Sequence, residues 1–175
     1  MTGQLTPNAV PTMATAVGAG PRHLAFHPNG TIACLIDETD STMSELAFDT
    51  VAGTLSILQT VSTRPAGATV TNTAAEVHVH PSGQWLFGSN RGDDDIVIYP
   101  LDPAGRMGTP TFTPTGGTTP RDFALDATGS FLYAANEGSG TVVTFRFDVT
   151  TGVLTPTGSS VSASSASFIG LVPLP

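Results

Sequence analysis

Lysine is absent from this 175-residue chain. Its six cations are all arginines, set against fourteen acidic residues for a net charge of −8. So little positive charge leaves no footprint for a phosphate backbone or an anionic lipid surface, which argues against nucleic-acid and membrane partners. Cysteine occurs once, Cys34 in TIACLID, so no internal disulfide can form. That thiol reads as a small buried hydrophobe, and a cytoplasmic setting fits it. The residues after Met1, TGQLTPNAVP, have neither a basic start nor an apolar core, and no run approaches a membrane span, so neither export nor a bilayer anchor is expected. Charged residues make up 11% against 39% hydrophobic, too few for disorder. No convincing helical stretch, G-x-S-x-G nucleophile elbow, Walker loop or dinucleotide fingerprint is present, so the enzyme chemistries built on those motifs lack their residues here.

What the chain has is a repeat. GPRHLAFHPNG at 20–30 returns as AAEVHVHPSG at 74–83 and as TPRDFALDATG at 119–129, at intervals of about fifty residues. Alignment on Gly30, Gly83 and Gly129 places Asp37, Asn90 and Asn136 seven residues later in each copy, with Gly53, Gly105 and Gly152 following in register. Each copy reads as four short strands, in the first about His23–His27, Ile32–Asp37, Thr42–Asp49 and Thr54–Val61. The turns between them are rich in Gly, Asn, Asp and Pro. Four antiparallel strands per repeat predict an all-β fold of β-propeller blades, the first strand of each lining the channel and the fourth outermost. The blades fall at about 20–63, 74–117 and 119–162 of one partial propeller domain spanning 1–175, with single strands expected at 3–17 and 167–172. Three blades do not close a ring. The expectation is therefore a piece of a longer product, or an arc whose open edges could pair with another copy.

Strand direction puts the start of each first strand, the connections between blades and the second-to-third-strand loops at one mouth. His23, Glu76 and Asp122 occupy one equivalent position there, preceded by Arg22, Ala75 and Arg121. Arg64, Asn90, Arg91, Asn136 and Glu137 belong to the same mouth, so four of the six cations gather on one rim of an acidic protein. Binding of a small anion is the economical reading, against local pairing of each arginine with a neighbouring carboxylate. His78 should point into the channel on the Glu76 face, as a ligand contact or a packed core histidine. His27, His80 and Asp126 lie at the opposite mouth, where capping of the turns is expected. A zinc site at His78 and His80 fails on reach, because Glu76 and His80 should be roughly 13 Å apart at about 3.3 Å per strand residue. No metal or cofactor is expected.

The strings GAGPRHLAFHPNG, STRPAG, NTAAEVHVHPSG, SNRG, TGGTTPRDFALDATG and SGTVVTFRFD resemble the propeller-type lactonases. These include 6-phosphogluconolactonases and 3-carboxy-cis,cis-muconate lactonising enzymes. The likeness runs from about residue 2 to 172 and covers the C-terminal half of that family's seven-bladed ring. It implies a catalytic group of His23, Arg64, Glu76 and Arg121 around one mouth. The expectation is a metal-independent, carbohydrate-metabolising hydrolase that opens a sugar-acid lactone, in the manner of the pentose phosphate pathway enzyme. Glu76 or His23 would activate water and Arg121 or Arg22 would offset the oxyanion. Arg64 or Arg91 would hold the charged tail, with His78, Asn90, Asn136 and Asp122 lining the site. The alternatives are lactone formation from a carboxymuconate and a non-catalytic binding or scaffold propeller.

Overall fold

The computed structural model describes residues 3–172, and within them the chain is all β, with twelve strands in three four-stranded antiparallel sheets. The first blade holds β1 (Pro21–Phe26), β2 (Ile32–Asp37), β3 (Thr42–Asp49) and β4 (Thr54–Ser62). The second holds β5 (Ala74–Val79), β6 (Trp85–Asn90), β7 (Asp95–Pro100) and β8 (Thr111–Pro114). The third holds β9 (Pro120–Leu125), β10 (Phe131–Asn136), β11 (Thr141–Asp148) and β12 (Val153–Ser162). Every sheet is a meander in sequence order, and β5 packs against both β1 and β9, so the first strands of the blades stand side by side as propeller geometry requires.

Period-2 alternation with both faces apolar glues the blades together. In β7, Val97 and Tyr99, together with Leu86 of β6, turn towards the first blade, where they join Cys34, Ile36 and Met43. Ile96 and Ile98 turn towards the third, packing with Phe87, Phe123, Leu132, Phe145 and Phe147. A run such as DIVIYP therefore reads as continuously hydrophobic because the strand is covered on both sides.

The histidine turns add polar stitches between blades. His27 Nδ1 accepts the Asn29 N–H at 3.0 Å, which places the ring proton on Nε2, and Nε2 donates to the Gly83 carbonyl of the next blade at 2.8 Å. His80 repeats the arrangement with the Ser82 N–H and the Gly129 carbonyl. Glycine is required beneath each ring: a Cβ at Gly129 would lie 2.1 Å from His80 Nε2, and its φ of +73° belongs to glycine. Asp126 caps its own turn through the Thr128 and Phe131 amides.

Two sequence expectations change. Neither 3–17 nor 167–172 forms a strand. Asn8 binds the Ala52 and Gly53 carbonyls and Met13 covers Ala33, Leu35 and Leu46, so the first segment lies against the first blade without pairing to a sheet. The first inner strand runs Pro21–Phe26 rather than His23–His27, because the His27 ring is committed to the turn and the strand extends back through an irregularity at Arg22.

Candidate active site

That irregularity recurs in every blade. β1 pairs Pro21 with Asp37 and His23 with Ile36, leaving Arg22 unopposed. β9 pairs Pro120 with Asn136 and Asp122 with Ala135, leaving out Arg121. β5 jumps from Ala74 opposite Asn90 to Val77 opposite Gly88, so Ala75 and Glu76 together face Ser89. Bulges of this kind twist a strand and re-aim a side chain, and here they swing His23, Glu76 and Asp122 into one cleft. Ser89 repairs the ladder, its hydroxyl accepting the freed Glu76 N–H at 3.0 Å.

The cleft, of about 510 Å³, is lined by Arg22, His23, Leu24, Glu76, His78, Asp122, Phe168 and Ile169. A larger one, about 690 Å³, opens at the other mouth beside His27, Trp85 and Asp102. Its titratable groups are committed to turns, His27 as above and Asp102 to the Ala104 and Arg106 amides, whereas the smaller cleft gathers His23, Glu76, His78 and Asp122.

At its centre His23 Nδ1 lies 2.6 Å from Glu76 Oε2, and the other carboxyl oxygen accepts the Val77 N–H at 2.9 Å. With both Glu76 oxygens taken up as acceptors, Nδ1 carries the proton and Nε2 presents a lone pair. The ring is 42% exposed and Nε2 has no partner among the described residues. Arg22 Nη1 stands 3.2 Å from His23 Nδ1 and donates to the Ala75 carbonyl at 2.6 Å. His78 packs edge-on to Phe123, ring centroids 5.0 Å apart, and burial holds its pKa below the usual histidine value although Glu76 pulls the other way.

Burial, then the neighbouring Glu76 carboxylate, pushes Asp122 up to about 6, against the hydrogen bond that its Oδ1 accepts from the Ile169 N–H. The folded protein therefore holds a proton on Asp122 at pH 4–6 that the unfolded chain releases. Stability falls as pH rises from the unfolded pKa near 3.9 to about 6, and the full cost applies above that. Asp122→Asn is expected to raise stability at pH 7.5 by about 2 kcal/mol and to add nothing at pH 3.5. Urea unfolding at the two pH values measures this, and an equal gain at both would contradict the assignment.

Other rim residues are spent within the protein. Arg64 forks onto Asp93 at 2.6 and 2.8 Å and also binds the Val70 carbonyl, so it clamps a loop instead of lining the cleft. Asn90 and Asn136 are fully buried and tie to the Thr63 and Thr115 carbonyls of the incoming connections, which removes them from ligand contact. Arg91 binds Glu38 and the Ala74 carbonyl. Arg121 stands beside the cleft, 39% exposed and 3.8 Å from Glu137. Sequence reading missed Ser89, Glu38 and the Phe168–Ile169 segment. Only Ser89 had a signal, a hydroxyl opposite the aligned Glu76.

Comparison with known proteins agrees with the fold. Residues 1–171 match the family model described as lactonase, 7-bladed beta-propeller. A 6-phosphogluconolactonase from Pectobacterium carotovorum is 38% identical over 128 residues, 73% of this chain and 39% of that protein. One from Serratia proteamaculans is 34% identical, over 73% of this chain and 38% of its own length. The periplasmic gluconolactonase of Pseudomonas aeruginosa superposes with a TM-score of 0.87 at 33% identity, over 93% of this chain and 45% of that one. The chain thus spans about two fifths of the length of the curated relatives it matches. With its repeated blades and its matching sequence, it belongs to the lactonase family of seven-bladed β-propellers.

Proposed function

We propose that this mouth opens a sugar-acid lactone by general-base attack of water, with a 6-phosphogluconolactone-like substrate. The observation that carries the reading is the His23–Glu76 contact, which leaves His23 Nε2 as a free, oriented and solvent-accessible base. Water held at Nε2 attacks the lactone carbonyl and gives its proton to the ring, while Glu76 stabilises the imidazolium. The exposed Arg121 offsets the tetrahedral oxyanion. Collapse breaks the ring C–O bond. His23 returns the proton to the leaving alkoxide, so lactone and water yield the hydroxy acid. In this scheme Glu76 is a positioning residue and not the base, and Arg64 takes no part.

The relatives named 6-phosphogluconolactonase support a phosphorylated substrate, as does the arginine content of the rim. The test is hydrolysis of 6-phosphogluconolactone by the purified protein beside unphosphorylated gluconolactone and 3-carboxy-cis,cis-muconate. Lactone opening at least a hundredfold above the spontaneous rate, with preference for the phosphorylated lactone, is expected. A rate equal to the spontaneous one, or turnover of the muconate alone, would refute the proposal.

A further inference from the structure

Beside the cleft, two guanidiniums flank one carboxylate. Arg22 of the first blade, Arg91 of the second and Arg121 of the third all act on Glu38, and Arg91 and Arg121 also lower the pKa of Arg22, whose own burial is the larger cause. The two inner arginines are held from below. Arg22 is pinned to the Ala75 carbonyl, Arg91 touches the Ala74 carbonyl, and their side chains are 14% and 12% exposed. Glu38 comes from the turn after β2 and is 38% exposed. Its hold is one-sided: Arg91 Nη2 hydrogen-bonds it and keeps its pKa below the usual carboxylate value, while Arg22 Nε is 3.7 Å from its oxygen, beyond hydrogen-bond distance. Arg91 reaches it through Nη2 alone, leaving its buried Nε–H with no acceptor among the described residues, so a two-pronged fork is not formed.

A fixed, positively charged cradle closed by an exposed carboxylate that only one of its two guanidiniums hydrogen-bonds is a site whose occupant can be exchanged. We propose that Arg22 and Arg91 form a subsite for the substrate's phosphate, and that Glu38 is a resident counter-ion which the phosphate displaces. The proposal takes from the lactonase reading only the identity of the anion. Glu38 is the exposed partner and can turn into solvent, while a dianion can engage both guanidiniums at once. Arg22 links the two sites, since its Nη1 lies 3.2 Å from His23 Nδ1. Glu38 then also deters uncharged sugars, which cannot compete with it.

The test is calorimetric titration of the purified protein with inorganic phosphate at pH 7.5. Glu38→Gln is expected to tighten binding about tenfold and Arg91→Gln to weaken it at least tenfold. Arginine side-chain NMR of the unmodified protein keeps the test open if a variant misfolds. The Arg22 and Arg91 Nε resonances should move on phosphate addition, and those of Arg106 and Arg146 should stay. No phosphate binding, an unchanged dissociation constant in Glu38→Gln, or shifts confined to Arg106 and Arg146 would each overturn the proposal. Because phosphate binding requires no turnover, tightening in Glu38→Gln without any lactone opening would discard the hydrolase reading and leave this subsite standing.

Discussion

Replacing His23 with alanine is expected to slow lactone opening by about 10² to 10⁴-fold, the usual contribution of a positioned general base, while the fold persists. The ring is 42% exposed and its one strong contact is to Glu76, so removing it leaves no cavity. Stability should change by about 1 kcal/mol or less. Glu76→Gln separates base from positioner. An amide has one acceptor oxygen where the carboxylate has two, so it cannot serve both the His23 Nδ1–H and the Val77 N–H. With the amide NH₂ turned to the ring, Nδ1 becomes the acceptor and Nε2 takes the proton, which blocks the base. The rate constant should fall by a similar factor with KM little changed, because Glu76 does not hold the substrate. Free imidazole should restore part of the activity of His23→Ala and none of that of Glu76→Gln. If either variant hydrolyses 6-phosphogluconolactone at the parent rate, the dyad is not the catalytic unit.

The fold was legible because it rests on local, repeated chemistry. Turn glycines, short apolar and β-branched strands such as DIVIYP and three copies in register specify blades without reference to distant residues. The convergence of His23, Glu76 and Asp122 was legible for the same reason, being one repeat position seen three times. The arginine partners were not. Arg64 meets Asp93 and Arg91 meets Glu38 across 29 and 53 residues, distances set by the rotation between blades and by loop shape, neither of which is written locally. The bulges were equally hidden. A one-residue mismatch between strands leaves almost no trace in composition, yet it decides where Arg22, Glu76 and Arg121 point. The 3–17 and 167–172 segments failed as strands because in each case a strand-like sequence meets side chains, at Met13 and Ile169, where a strand needs a backbone ladder.

The largest expected loss of stability is at Phe87, which carries the junction of the second and third blades. Its ring is fully buried, edge-on to Phe147 at 4.9 Å and 6.4 Å from Phe123. Truncation to alanine loses the transfer energy and leaves a cavity between sheets that cannot collapse without tilting a blade. A cost of about 3–5 kcal/mol follows, a large share of the 5–15 kcal/mol that holds a typical domain. Phe87 is also the cross-strand partner of His78, one of the cleft's lining residues, so the injury should reach the site. Phe87→Leu keeps most of the volume and loses only the aromatic contacts, about 0.5–1.5 kcal/mol each. It should therefore stay folded, with a lower urea midpoint and a raised KM for the lactone. The junction argument fails if Phe87→Ala unfolds within about 1 kcal/mol of the parent, because the blades would then be held by something other than this ring.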